Sequence, residues 1–143
     1  MSDQNTSNYS QLFQEGLAVR REVLGAEYVN KSIADADPLS MQMQELVTEY
    51  CWGKIWTRPG LDRRTRSFLN LAMITALNRP HELKLHVRGA LHNGLTREEI
   101  VEVFLQTAIY CGVPAAIDSM RVAREVFKEE DSNSQGSGSS SKS

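Results

Sequence analysis

Cysteine is scarce in this chain of 143 residues: there are two, Cys51 and Cys111, 60 positions apart and neither within a C-x-x-C. That spacing disfavours a disulfide scaffold, a thioredoxin-like dithiol and a Cys-rich zinc site. The two thiols are expected to stay reduced and to pack as small buried hydrophobes. No apolar run approaches the ~20 residues of a membrane span. The first ten residues, MSDQNTSNYS, contain no apolar stretch of the kind that marks a secretory signal, so cytoplasm is the expected compartment. An excess of either charge is also missing. The 16 basic and 18 acidic residues give a formal net charge of -2, with no clustered basic surplus for nucleic acid. There is no Gly-rich phosphate loop, no G-x-S-x-G and no P-loop. Sustained period-two alternation is absent, and the Asn93-Gly94 pair lies between helical patterns rather than between β-branched runs.

What remains reads as helix throughout, so the expected class is all-α: a compact bundle of six or seven helices. The length suits one domain. Residues 1–8 and 131–143 have nothing apolar to bury and are expected to be flexible, the second being Ser- and Gly-rich, which leaves 9–130 as the folded domain. Leu12, Phe13, Gly16, Leu17, Val19, Val23 and Leu24 lie mostly on one stripe, ended by Gly25, and a shorter helix follows over 26–34. Asp37-Pro38 starts a helix with an N-cap and a proline at the first helical position, and its apolar spacing runs on to Trp56 before Arg58-Pro59-Gly60 breaks it. Asp62 caps a helix whose Phe68, Leu69, Ala72, Met73, Ala76 and Leu77 make a wide apolar face, to which Leu71 and Ile74 add, so that it is predicted to be the central helix. A helix from Pro80 to Asn93 is closed by Gly94. Thr96 and Glu99 form a capping box that opens the next helix, and Gly112-Val113-Pro114 separates it from the last, expected to end at Lys128. The surplus of large apolar side chains, Met41, Met43, Trp52, Trp56, Phe104 and Tyr110 among them, fits a helical oligomer interface.

Chemistry is concentrated in one segment. His81 and His86 stand five residues apart, about 140° around a helix, so they cannot form the two-histidine face of a zinc protease helix, and no metal site is expected. Glu82 and His86 are four apart and share a face. A carboxylate beside an imidazole can orient it for proton transfer near neutral pH, and the same spacing also suits a plain surface pair. Arginine outnumbers lysine 11 to 5 and gathers between Arg58 and Arg88. Arginine is preferred for bidentate carboxylate recognition, so a small polyanion is a fitting ligand.

At this point the residues resemble a known family. Trp52-Gly53-Lys54-Ile55-Trp56-Thr57-Arg58-Pro59-Gly60-Leu61 is similar to the W-G-x-x-W-x-R-P-G-L stretch of the carboxymuconolactone decarboxylase family. Glu82-Leu83-Lys84-Leu85-His86-Val87-Arg88-Gly89-Ala90 resembles its E-L-x-x-H-x-R-x-A, the segment 93–100 its N-G-x-T-x-x-E-[IL], and Tyr110 to Ala115 its Y-x-G-x-P-A. Arg20 to Gly25 matches R-x-E-V-L-G, so the resemblance covers about residues 9–128. The wider alkylhydroperoxidase D-like superfamily carries a C-x-x-C-x-x-x-H helix. Registered on His86, the two cysteine positions fall on Arg79 and Glu82, so dithiol peroxidase chemistry is not available and a carboxylate stands where the second thiol would be.

The resemblance implies an alkylhydroperoxidase D-like fold, a homo-oligomer, often a hexamer, and decarboxylation of γ-carboxymuconolactone to the β-ketoadipate enol-lactone in protocatechuate breakdown. Such a lactone is its own electron sink, so the reaction is expected to need no cofactor and no metal. His86 is the expected proton or oxyanion donor, with Glu82 orienting it or exchanging roles. Arg58, Arg66 and Arg88 are candidates to hold the second carboxylate arm, and Trp52 and Trp56 to wall the pocket and exclude water. The departing carboxylate loses its charge, so clamping it with arginine would only stabilise the ground state. Two other classes stay open: a non-catalytic helical oligomer that binds a small acid or a partner protein, and a relative acting on another lactone or as a thiol-dependent peroxidase, the last opposed by the absence of a C-x-x-C.

Overall fold

The computed structural model describes residues 8–136, and within them it is α-helical with one π-helical segment and no strand. The chain divides into two compact units at the Arg66/Ser67 boundary.

The first unit contains α1 (Gln11–Leu24), α2 (Ala26–Ala34), α3 (Pro38–Leu46) and a π-helix (Val47–Ile55). Each start and stop has a local cause. The Ser10 hydroxyl accepts from the Phe13 amide at 3.1 Å, and Gly25 ends α1 at φ 96°, a conformation that costs glycine nothing. Asp37 and Ser40 form a reciprocal capping box, with Pro38 in the first turn. The sequence predicts one continuous helix to Trp56. Instead the ladder widens after Leu46, ending with the Trp56 amide donating to the Cys51 carbonyl at 3.0 Å. A π-helix replaces i→i+4 bonds by i→i+5, and over two turns the apolar spacings of three and four residues do not separate the two. The π-helix lies backbone to backbone on α1. A Cβ on Gly16 would stand 2.0 Å from the Thr48 carbonyl oxygen, and one on Gly53 would stand 2.6 Å from that of Leu12. Around this contact Phe13, Leu17, Val23, Trp52 and Trp56 are buried. Arg20 is buried too, donating to Gln44 Oε1 at 2.8 Å and Thr48 Oγ1 at 3.2 Å.

The second unit holds most of α4 (Arg63–Leu77), then α5 (Pro80–His92), α6 (Arg97–Cys111) and α7 (Val113–Gly136). Asn78 takes a left-handed φ of 54° and Pro80 opens α5, which makes the sharp α4–α5 turn. The Thr96/Glu99 capping box opens α6 as expected. Leu71, Leu83, Val87, Ala90, Leu95, Ile100, Phe104, Ala123 and Val126 make the core. Within it the Ser119 hydroxyl donates to Thr75 Oγ1 at 2.9 Å, both side chains being buried. Replacing Thr75 alone by valine strands the Ser119 hydroxyl. The expected cost is about 1–3 kcal/mol in chemical denaturation, with the T75V/S119A pair costing less than the two single changes summed.

Three expectations are corrected here. Helix α4 buries Ser67, Leu71 and Thr75, whereas Leu69, Met73, Ala76 and Leu77 are exposed, so its widest apolar face is not the one that the core uses. Both cysteines are exposed rather than buried. Helix α7 passes Lys128 and runs to Gly136. Arg97 pairs with Asp131 at 2.6 Å, and the Ser132 and Ser134 hydroxyls donate to carbonyls four residues back, so polar bonds carry the last turns where apolar ones end. Residues 131–136 of the tail are thus helical, while residues 1–7 and 137–143 lie outside the described residues.

Candidate active site

Helix α5 is held by its apolar face. Leu83, Val87 and Ala90 are buried, which turns His86 partly inward and leaves Glu82 exposed one turn earlier. The facing helix is α4, and two polar rungs join them. Asn93 Nδ2 donates to Ser67 Oγ at 2.9 Å, and Asn70 Nδ2 lies 3.4 Å from His86 Nδ1. Burial of His86 pushes its pKa below the ordinary imidazole value of 6.5, and the nearby Glu82 charge offsets part of that. The imidazole is therefore neutral at pH 7.

That shift has a stability consequence. The unfolded chain binds the His86 proton more readily, so the contribution of the neutral ring is complete above pH 6.5 and is lost as pH falls through the folded value. Chemical denaturation across this range is expected to show the wild type losing stability relative to H86Q as the medium is acidified. A difference independent of pH contradicts the burial.

The other predicted residues fall into two groups. In the second unit, Arg88 is ion-paired with Glu129 of α7, which also takes Lys84 at 2.9 Å. These two cations hold the Glu129 carboxyl below the usual carboxylate range. Arg88 thereby ties α5 to α7. In the first unit, Trp52 and Trp56 stack with ring centroids 4.9 Å apart, both buried. Arg66 Nη2 donates to the Arg58 carbonyl at 3.1 Å, at the start of the R-P-G-L turn. Within the second unit, an open groove of about 520 Å³ runs between α4 and α6, lined by Phe68, Leu69, Ala72, Glu99, Glu102, Val103, Gln106 and Thr107. Neither Glu82 nor His86 lines it. Among the described residues, no group of three or more His, Cys, Asp or Glu side chains is placed to hold a metal ion.

Sequence reasoning missed Asn70 and Ser67. Their signal is a small one: two polar residues three apart, on the side of α4 away from its widest apolar face.

The fold is that of an all-α, alkylhydroperoxidase D-like protein, with a carboxylate and an imidazole one turn apart on α5. Residues 42–125 match the model of the carboxymuconolactone decarboxylase family, and the chain belongs to that family. It is 45% identical over 125 residues to the nitrosuccinic acid decarboxylase of Metarhizium robertsii, a match that covers 87% of each chain. It is 40% identical over 122 residues to the 4-carboxymuconolactone decarboxylase of Acinetobacter baylyi, covering 85% of this chain and 91% of that one. Among the described residues, no helix is long and apolar enough to cross a membrane.

Proposed function

We propose that this chain is a cofactor-free carboxy-lyase that converts 4-carboxymuconolactone to 3-oxoadipate enol-lactone and CO2, in the protocatechuate branch of the β-ketoadipate pathway. The observation that carries the reading is the half-buried, neutral His86 with the Glu82 carboxylate one turn away, in a chain of this family. Breaking the bond to the departing carboxylate leaves its electron pair on the ring. The pair moves through the double bond onto the lactone carbonyl oxygen, and CO2 departs. The Nε2–H of His86 stabilises that new oxyanion; preorganised donors of this kind commonly supply the largest share of rate enhancement. The pair then returns to the carbon α to the carbonyl, which takes a proton. Glu82, exposed to solvent, relays that proton from water. A neutral imidazole suits the donor role, because it polarises an oxygen without first holding the departing carboxylate as a salt bridge would.

The W-G-x-x-W-x-R-P-G-L motif nominates Arg58 for the second carboxylate and Trp52 and Trp56 as pocket walls, and Arg66, just beyond it, is the further candidate for that carboxylate. Arg88, engaged by Glu129, is the weaker candidate for substrate. The reading includes a cytoplasmic homo-oligomer, a hexamer by family likeness. The exposed Leu69, Met73 and Leu77 of α4 and Leu105 and Ile109 of α6 support an apolar interface between copies.

A second reading is favoured by the relative at 45% identity: nitrosuccinic acid as substrate. The chemistry is homologous, since a nitro group next to the departing carboxylate also accepts the electron pair on oxygen. Comparing kcat/KM for the two acids decides between them. A higher value for 4-carboxymuconolactone is expected, and a higher one for nitrosuccinic acid replaces the substrate while keeping the reaction class. Saturable binding of either acid with no CO2 released favours a non-catalytic binding oligomer.

A further inference from the structure

We propose that Asn70 is a positioning residue for His86: its side-chain amide donates to Nδ1 and so keeps the single proton of the imidazole on Nε2, from which His86 serves the reaction. This rests on the reading of His86 as the donor to the developing oxyanion. The amide nitrogen of asparagine donates and cannot accept, so the ring nitrogen 3.4 Å from it must present its lone pair. A neutral imidazole has one N–H, and with Nδ1 accepting it lies on Nε2.

The placement of Asn70 follows from the α4–α5 hairpin. Ser67 and Asn70 are three residues apart on α4, and His86 and Asn93, the C-cap of α5, are seven apart, so each pair lies on one side of its helix. The two helices run antiparallel, so Ser67 meets Asn93 and Asn70 meets His86. Leu71 beside Asn70 and Leu83 and Val87 beside His86 are buried, which fixes both backbones under the polar pair.

The residue type matters to the chemistry. A carboxylate at position 70 would accept from Nδ1–H and move the lone pair to Nε2, making His86 a base. Decarboxylation removes no substrate proton and needs no base; it needs a donor at the new oxyanion. An uncharged amide gives that donor without adding a negative charge next to the place where one must form.

The test is direct. With 15N-labelled imidazoles, long-range proton–nitrogen NMR distinguishes protonated from bare ring nitrogens, and the His86 signals are those lost in H86Q. The wild type is expected to show Nδ1 bare and Nε2 protonated. Asn70→Asp is expected to reverse this and to lower kcat about tenfold or more, with KM within about twofold. Asn70→Ala is expected to show both tautomers and a several-fold lower kcat. Ser67→Ala breaks the other rung and is expected to keep the wild-type tautomer. A wild-type proton on Nδ1, an unchanged tautomer in N70A, or a shift in S67A equal to that in N70A overturns the proposal. So does a reversed tautomer in N70D with unchanged kcat. If N70D does not fold, the wild type, N70A and S67A decide. The tautomer is read without substrate, so an inactive wild-type chain with Nε2–H in place overturns the decarboxylase reading and leaves the hold of Asn70 on the ring standing.

Discussion

Replacing His86 by alanine is expected to lower kcat about 10²–10³-fold with the helical fold intact, the usual effect of removing a single preorganised oxyanion donor. The fold should survive because His86 is only half-buried, while the core of its unit is made by Leu83, Val87, Ala90 and their partners on α6 and α7. Glutamine should keep part of the rate, since its amide N–H can reach in the same direction. Glu82→Gln should cost less, about tenfold, because a relay from solvent can be bypassed by water. The check is steady-state turnover followed by ultraviolet absorbance and CO2 release, with circular dichroism on the same samples. Unchanged kcat in H86A removes His86 from the chemistry.

The second large effect concerns folding. Gly16→Ala is expected to cost about 3 kcal/mol or more, or to prevent folding outright, because its methyl group would stand 2.0 Å from the Thr48 carbonyl oxygen and 2.7 Å from the Gly53 amide nitrogen. Backbone atoms cannot step aside as a flexible side chain can, so α1 and the π-helix would have to separate, loosening the packing of Phe13, Leu17 and Trp52. Gly60→Ala is the control, since nothing lies within 4 Å of a Cβ there, and it should be nearly neutral. Equal stability of the two variants in urea denaturation contradicts the close approach.

Much of this architecture is legible in the sequence because local chemistry and global fold agree. Asp37-Pro38, Thr96/Glu99, Gly25 and Gly112 each stop or start a helix where their side chains or permitted φ angles predict. The π-helix is not legible, because apolar spacings of three and four residues suit both helix types, and its contact with α1 is tertiary: Gly16 and Gly53, far apart in the chain, let two backbones touch. Helix α4 misleads for a different reason. Its apolar residues are abundant all round, so hydrophobicity alone does not say that Leu71 faces the core while Leu69, Met73 and Leu77 stay exposed. The end of α7 is set by hydroxyl and ion-pair bonds, which an apolar-periodicity argument does not count. At the site, the four-residue spacing of Glu82 and His86 predicts their shared face on α5, and the motif draws attention to them. Asn70 escapes because asparagine in an apolar helix carries no motif of its own. Its meaning comes only from the helix that folds back against it, which brings His86 within 3.4 Å.

The measurement that bears most directly on the central claim is turnover of 4-carboxymuconolactone by the full chain after exhaustive metal chelation and dialysis, with CO2 and ultraviolet absorbance followed together and H86A run beside the wild type. Metal-independent decarboxylation through His86 is expected to give stoichiometric CO2 and enol-lactone from the wild type at a rate unaffected by chelation, and a loss of about 10²–10³-fold in the variant. Binding of the lactone without CO2 release, or equal rates in wild type and H86A, would contradict it.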